Sequence, residues 1–214
     1  MPRIRIHHTK NAQLQYTGTL DIQKIWERTL RRALLPIEYS QGFHPQPKIQ
    51  LACPLPLGMT SRAEYVDFWL EQYYEPADLQ NRIEQVNHPG IDILNLTYVA
   101  ENEPSLQSRL HSTETIVMLP AGMDVEKIKA KLAEVMAASS IMLERRGKQY
   151  DLRPLIEYCS IEQQPDSEIA CLRMTLSARP GATGRPEEVL RVLEIDLNEV
   201  HLQREKIIFD PLPS

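Results

Sequence analysis

The segment 20–35 constrains the fold more than any other part of this chain. Ile22, Ile25, Trp26, Leu30, Ala33 and Leu34 fall within a half-turn of a helical wheel, while Lys24, Arg28, Arg31 and Arg32 gather opposite. Thr19 is the expected N-cap and Pro36 the expected stop. A helix with one apolar stripe must bury it against another layer. The flanking sequence supplies that layer. Residues 3–9 and 63–70 alternate with period two and predict strands, Ile4 and Ile6 lying on one side of the first.

The same reading extends along the chain. Residues 49–53 and 91–99 predict strands. Residues 76–86 predict a helix with Leu79, Ile83 and Val86 on one face. Residues 100–112 are polar and irregular. Beyond them the order repeats: strand 114–119, helix 124–138, strand 141–145, extended 150–162 with a break at Pro154, strand 169–178, helix 185–193 and strand 200–208. Both halves approximate βαββαβ. The expected fold is therefore α+β, two tandem ferredoxin-like (βαββαβ) units, with unit one at 1–100, a linker at 101–112 and unit two at 113–214.

Composition excludes several classes. With 42% hydrophobic and 25% charged residues the 214-residue chain is neither disordered nor membrane-embedded. The N-terminus shows no apolar signal region, and the three cysteines have no metal or disulfide spacing, so a reduced, cytoplasmic setting is expected. Net charge is −5, unevenly spread: residues 1–70 carry nine Lys/Arg against five acids, and the remainder 15 against 24. A basic end on an acidic body points to a local anionic partner.

Two loops draw attention. Residues 39–48 read Tyr-Ser-Gln-Gly-Phe-His-Pro-Gln-Pro-Lys, a proline-stiffened frame that offers Phe43 and His44 to an unpaired base and Lys48 to phosphate. Inward packing of Phe43 is the competing reading. Residues 178–187 are glycine-rich, carry Arg179 and Arg185, and end at a predicted helix start; they lack a P-loop or dinucleotide fingerprint, and a simple turn explains them as well. Asp151 and Arg153 either pair structurally or offer Arg153 to phosphate. His7 and His8 are neighbours on a strand and point to opposite faces, and no histidine spacing marks a metal site.

The run 21–67 resembles the radical SAM-linked protein family, a domain of unknown function encoded beside or fused to radical S-adenosylmethionine proteins. The resemblance is carried by Glu27-Arg28-Thr29-Leu30-Arg31-Arg32-Ala33, by Tyr39-Ser40-Gln41-Gly42-Phe43-His44-Pro45-Gln46-Pro47-Lys48-Ile49, by Pro54-Leu55-Pro56-Leu57-Gly58 and by Ala63-Glu64-Tyr65-Val66-Asp67. Weaker segments are Tyr150-Asp151-Leu152-Arg153-Pro154 and Arg185-Pro186-Glu187-Glu188-Val189-Leu190. Where the family has Ser-His-Leu-Asp, this chain reads Gly18-Thr19-Leu20-Asp21, which favours a binding or structural role over catalysis at that segment. The resemblance implies a radical SAM protein as partner. This chain has no CxxxCxxC cluster motif of its own, and no cofactor or metal is expected.

These readings converge on a non-catalytic accessory protein that binds RNA and presents it to a radical SAM modification enzyme. Arg28, Arg31, Arg32 and Lys48 are expected on phosphate and Phe43 and His44 on a base, with Arg153, Arg179 and Arg185 as further contacts. Two alternatives stand beside it: a metal-independent ribonuclease of the CRISPR repeat-processing type using His44 or His7, and a scaffold that docks the radical SAM enzyme without touching RNA.

Overall fold

Alternation builds the first strand, β1 (Arg3–Lys10), which buries Ile4, Ile6, His8 and Lys10 on one side. After it come α1 (Thr19–Arg32), β2 (Ile49–Leu51), β3 (Met59–Trp69), α2 (Pro76–Glu84) and β4 (Ile93–Val99). All pairings are antiparallel, in the order β2-β3-β1-β4. One apolar cluster joins Ile4, Ile6 and Phe68 of the sheet to Trp26 and Leu30 of α1 and to Leu79 and Ile83 of α2, all fully buried. Each such side chain contributes roughly 1.5–3 kcal/mol.

This computed structural model describes residues 1–163 and 169–212. The chain divides into two units, 1–109 with 211–214 and 110–210. In the second unit β5 (Leu110–Leu119) is followed by α3 (Val125–Ala137), β6 (Met142–Arg145), β7 (Lys148–Asp151), β8 (Ile156–Gln163), β9 (Ala170–Arg179), β10 (Ala182–Thr183), α4 (Pro186–Val192) and β11 (His201–Phe209). Its main sheet runs β8-β9-β5-β11, again antiparallel, with β10 also on β9. The molecule is thus mixed α+β, with mostly antiparallel sheet and four α-helices among the described residues.

The structure departs from the sequence expectation at three places. Gly18 rather than Thr19 is the N-cap of α1. At the other end the helix closes before Leu34, which has φ 55° and is 80% exposed instead of lying in the buried stripe. Leu35 N–H donates to Leu30 O (3.1 Å) and Leu34 N–H to Arg31 O (3.0 Å), the paired closing bonds of a Schellman motif; Leu35 then turns inward and is buried. Third, residues 141–151 do not join the main sheet. They form a separate β6–β7 hairpin whose turn, Arg146 (φ 52°) and Gly147 (φ 75°), has the two positive φ values of a tight hairpin.

Candidate nucleic-acid interface and a buried polar cluster

The loop after α1 is a braced hairpin. Ser40 N–H donates to Gln46 O and Lys48 N–H to Glu38 O, both at 2.8 Å, while Tyr39 and Pro47 form a bridge pair. Glu38 N–H is held in turn by Trp69 O at the end of β3 (2.8 Å), which fixes the base of the loop to the sheet. At the tip, Gly42 takes φ 139°, a backbone state that a side chain disfavours. Phe43 next to it is 101% exposed, so the inward-packing reading of this ring does not hold. His44 is exposed beside it.

The basic side chains around this loop differ in what they are bonded to. Arg31 donates to the Tyr39 hydroxyl (2.8 Å) and pairs with Glu27 (2.8 Å), tying α1 to the loop base; the Tyr39 oxygen and Glu27 raise its pKa above the usual guanidinium value. Lys48 pairs with Glu38, and Arg32 donates to Val86 O. Arg28 is exposed on the outer face of α1.

Three other candidates lie in unit two, away from this loop in the chain. Arg153 donates to Met136 O (3.0 Å) and Ile156 O (3.1 Å), which places it at the C-terminal end of α3 as a structural tie. Arg179 pairs with Glu157 (3.4 Å) and contacts the His111 ring. Arg185 lies 3.6 Å from Glu187. The 178–187 segment is a turn at Gly181 (φ 78°) leading to a helix of only seven residues, whose N-terminus is already answered by Glu187 and Glu188 in its first turn.

The basic excess of residues 1–70 is also partly internal. Arg3 and Arg5 both donate to Asp67, which is 1% exposed, and Arg5 and Arg109 both pair with Glu103 (2.6 and 3.1 Å). These arginines hold a fold rather than offering a charged surface.

Sequence reasoning missed a second feature of unit one. His8, Lys10 and Glu64 are all buried, at 1%, 3% and 8% exposure, on the inner side of the sheet near the start of α1. His8 sits directly opposite Glu64 in the β1–β3 register and edge-on to Trp26, with ring centroids 4.9 Å apart. Its Nδ1 lies 2.8 Å from Thr9 O; a carbonyl only accepts, so Nδ1 carries the proton and Nε2 is a bare acceptor. Among the described residues that Nε2 is buried without a hydrogen-bond partner, as is Trp26 Nε1. Burial drives the His8 pKa down, with the Thr9 carbonyl and Glu64 pulling the other way. His8, Lys10, Glu64, Thr17, Thr19 and Cys53 line a cavity of about 20 Å³. The signal was legible: Ile4, Ile6, His8 and Lys10 follow one another at period two, so a strand that buries the first two buries the others.

Among the described residues no group of three His, Cys, Asp or Glu is placed to hold a metal ion, and no helix is long and apolar enough to cross a membrane. His7 stacks on Tyr65 on the opposite sheet face, centroids 4.5 Å apart. No hydrogen bond or ring contact among the described residues joins His7 or His8 to His44.

The chain belongs to the family described as an uncharacterized protein conserved in bacteria (DUF2344), whose model matches residues 3–186. That bears out the expectation of a domain of unknown function, and the match carries no link to radical SAM proteins. Among solved structures, a chain in the crystal structure of a Cbf5-Nop10-Gar1 complex is similar with a TM-score of 0.49 and 10% identity, over 96% of this chain and 48% of that one. This chain therefore spans about half the length of that neighbour. No curated protein matches.

Proposed function

We propose that this protein is a non-catalytic accessory that binds single-stranded RNA through unit one and presents it to a radical SAM modification enzyme. The observation that carries the binding step is Phe43, wholly exposed at the tip of a hairpin braced by Arg31–Tyr39 and Lys48–Glu38. A large apolar ring held in water by a stiff frame gains nothing for the fold. It is suited to stack on an unpaired base, which contributes about 1–3 kcal/mol per base. His44 adds a second ring at the tip. Arg28 and the outer part of Arg31 supply cations along the adjoining helix face.

Each unit has its four main strands in the order second-third-first-fourth, with a helix after the first and after the third. This order supports reading both as ferredoxin-like βαββαβ units, the second with a hairpin inserted. The radical SAM partner rests on the resemblance of residues 21–67. Three buried cysteines, none of them in a disulfide among the described residues, favour a reduced, cytoplasmic compartment.

The test is fluorescence anisotropy with a short single-stranded RNA over a salt series, on wild type, Phe43→Ala and Arg28→Glu/Arg31→Glu. Wild-type affinity should fall with salt, the charge-reversed variant should show a shallower salt slope, and Phe43→Ala should bind roughly tenfold or more weaker. Absence of binding, or binding that both variants retain, would overturn the RNA reading and leave the protein-docking scaffold.

A further inference from the structure

We propose that the cavity beneath the first turn of α1 receives a ribose 2′-hydroxyl of bound RNA, with His8 Nε2 as its hydrogen-bond acceptor. This rests on the RNA reading above and adds the means by which RNA is told from DNA.

His8 Nε2 is an unmet acceptor among the described residues. A buried polar atom without a partner costs on the order of 1–3 kcal/mol, so Nε2 calls for a donor. The ring does not turn away to find one, because Nδ1–H is held by Thr9 O and the ring edge meets Trp26. The cavity limits what the donor can be. About 20 Å³ admits one group the size of a water molecule and excludes a phosphate or a base. Glu64 in the lining disfavours an anion and Lys10 disfavours a second cation. A neutral donor remains, and a hydroxyl is the smallest that a larger ligand can carry.

The surroundings suit a ligand that brings this hydroxyl from outside. Thr17, Thr19 and Leu55 also line the cavity, and Thr17 and Thr19 are only half-buried. Their chain neighbours Tyr16 and Leu20 are 79% and 73% exposed, and Leu57 is 63% exposed. An added Cβ on Gly18 would stand 3.9 Å from Leu57, and one on Gly58 would stand 3.8 Å from Tyr16, so Leu57 and Tyr16 flank these two glycines. Next in the chain to the cavity-lining Thr17 and Thr19, Tyr16 and Leu20 offer exposed apolar surface to a sugar or base. The 2′-hydroxyl is the group by which a protein distinguishes RNA from DNA at a given nucleotide.

The test compares a short oligouridylate with the matching oligodeoxyuridylate, by anisotropy and by ¹⁵N NMR of the histidine rings in the full chain. Wild type should prefer the ribo-oligomer by about tenfold, the worth of one buried hydrogen bond. The ribo-oligomer alone should move the His8 Nε2 resonance. His8→Phe keeps the ring and removes the acceptor; it should bind both oligomers equally, while Phe43→Ala weakens both. Equal wild-type binding of the two oligomers, or a stationary Nε2 resonance in the ribo-complex, overturns the inference and leaves the cavity to water alone. Binding of neither oligomer overturns the RNA reading and this inference with it. The NMR measurement needs no variant, so it decides the matter even if His8→Phe fails to fold.

Discussion

Arg3 Nε donates to Asp67 Oδ2 at 3.0 Å from the neighbouring strand, and both side chains are buried. Arg5 reaches the same carboxylate from two residues farther along, at 2.8 Å to Oδ1. One carboxylate therefore holds two guanidinium groups on the sheet face opposite Ile4 and Ile6. Asp67→Asn leaves the buried Arg3 without its counter-charge and Arg5 with Glu103 alone. The expected loss is about 3–5 kcal/mol, read as a lower urea midpoint at unchanged m-value.

Leu34 carries a left-handed backbone at the close of α1 with its side chain in water. A non-glycine residue there costs roughly 1–2 kcal/mol, and this side chain recovers none of it through burial. Leu34→Gly should raise stability by about 1 kcal/mol, the added freedom of the unfolded glycine offsetting part of the gain. A thermal melt checks it. A drop in Tm would mean that the exposed Leu34 side chain has contacts of its own.

Acid should weaken this fold above the range where carboxylates titrate. Burial lowers the folded pKa of His8, and of His7 to which Glu64 gives partial relief. The unfolded value is about 6.5. Below that pH the unfolded chain takes up protons that the folded chain refuses. Stability is therefore complete above about pH 6.5 and falls as pH drops below it, by at most about 1.4 kcal/mol per pH unit for each histidine. Urea midpoints between pH 7.5 and 5 measure the slope. His8→Phe should flatten it, leaving the His7 part. An unchanged slope in that variant would place the effect elsewhere.

Phe43 makes the opposite prediction for stability. With the ring fully exposed, Phe43→Ala should change unfolding free energy by less than about 0.5 kcal/mol. Unaltered urea unfolding alongside reduced RNA affinity would separate a binding residue from a structural one. A large loss of stability would mean that the ring packs inward in solution.

Element identity was largely legible. Ile22, Trp26, Leu30 and Ala33 of the α1 stripe, Ile4 and Ile6 of β1, and Leu79 and Ile83 of α2 are buried as their period selects. The misreadings have local causes. Leu34 continues the helical period, but Pro36 disfavours helical backbone at the residue before it, and the chain closes on Leu30 O and Arg31 O instead. Residues 141–151 carry strand-like composition, yet Arg146-Gly147 folds them onto each other. Nothing in periodicity distinguishes a strand that joins the main sheet from one that pairs with its neighbour.

The candidate sites divide the same way. Local order alone places Phe43 and His44 in a proline-stiffened loop and His8 on the same side as Ile4 and Ile6, because side-chain direction in a strand follows from counting residues. The folded chain sets Glu64 opposite His8, gives Arg3, Arg5 and Arg153 their internal partners and keeps Phe43 in water. Those outcomes depend on register and on contacts between residues tens of positions apart. A carboxylate or carbonyl brought within 3 Å of a guanidinium turns a surface charge into a structural one, and no local pattern encodes that approach.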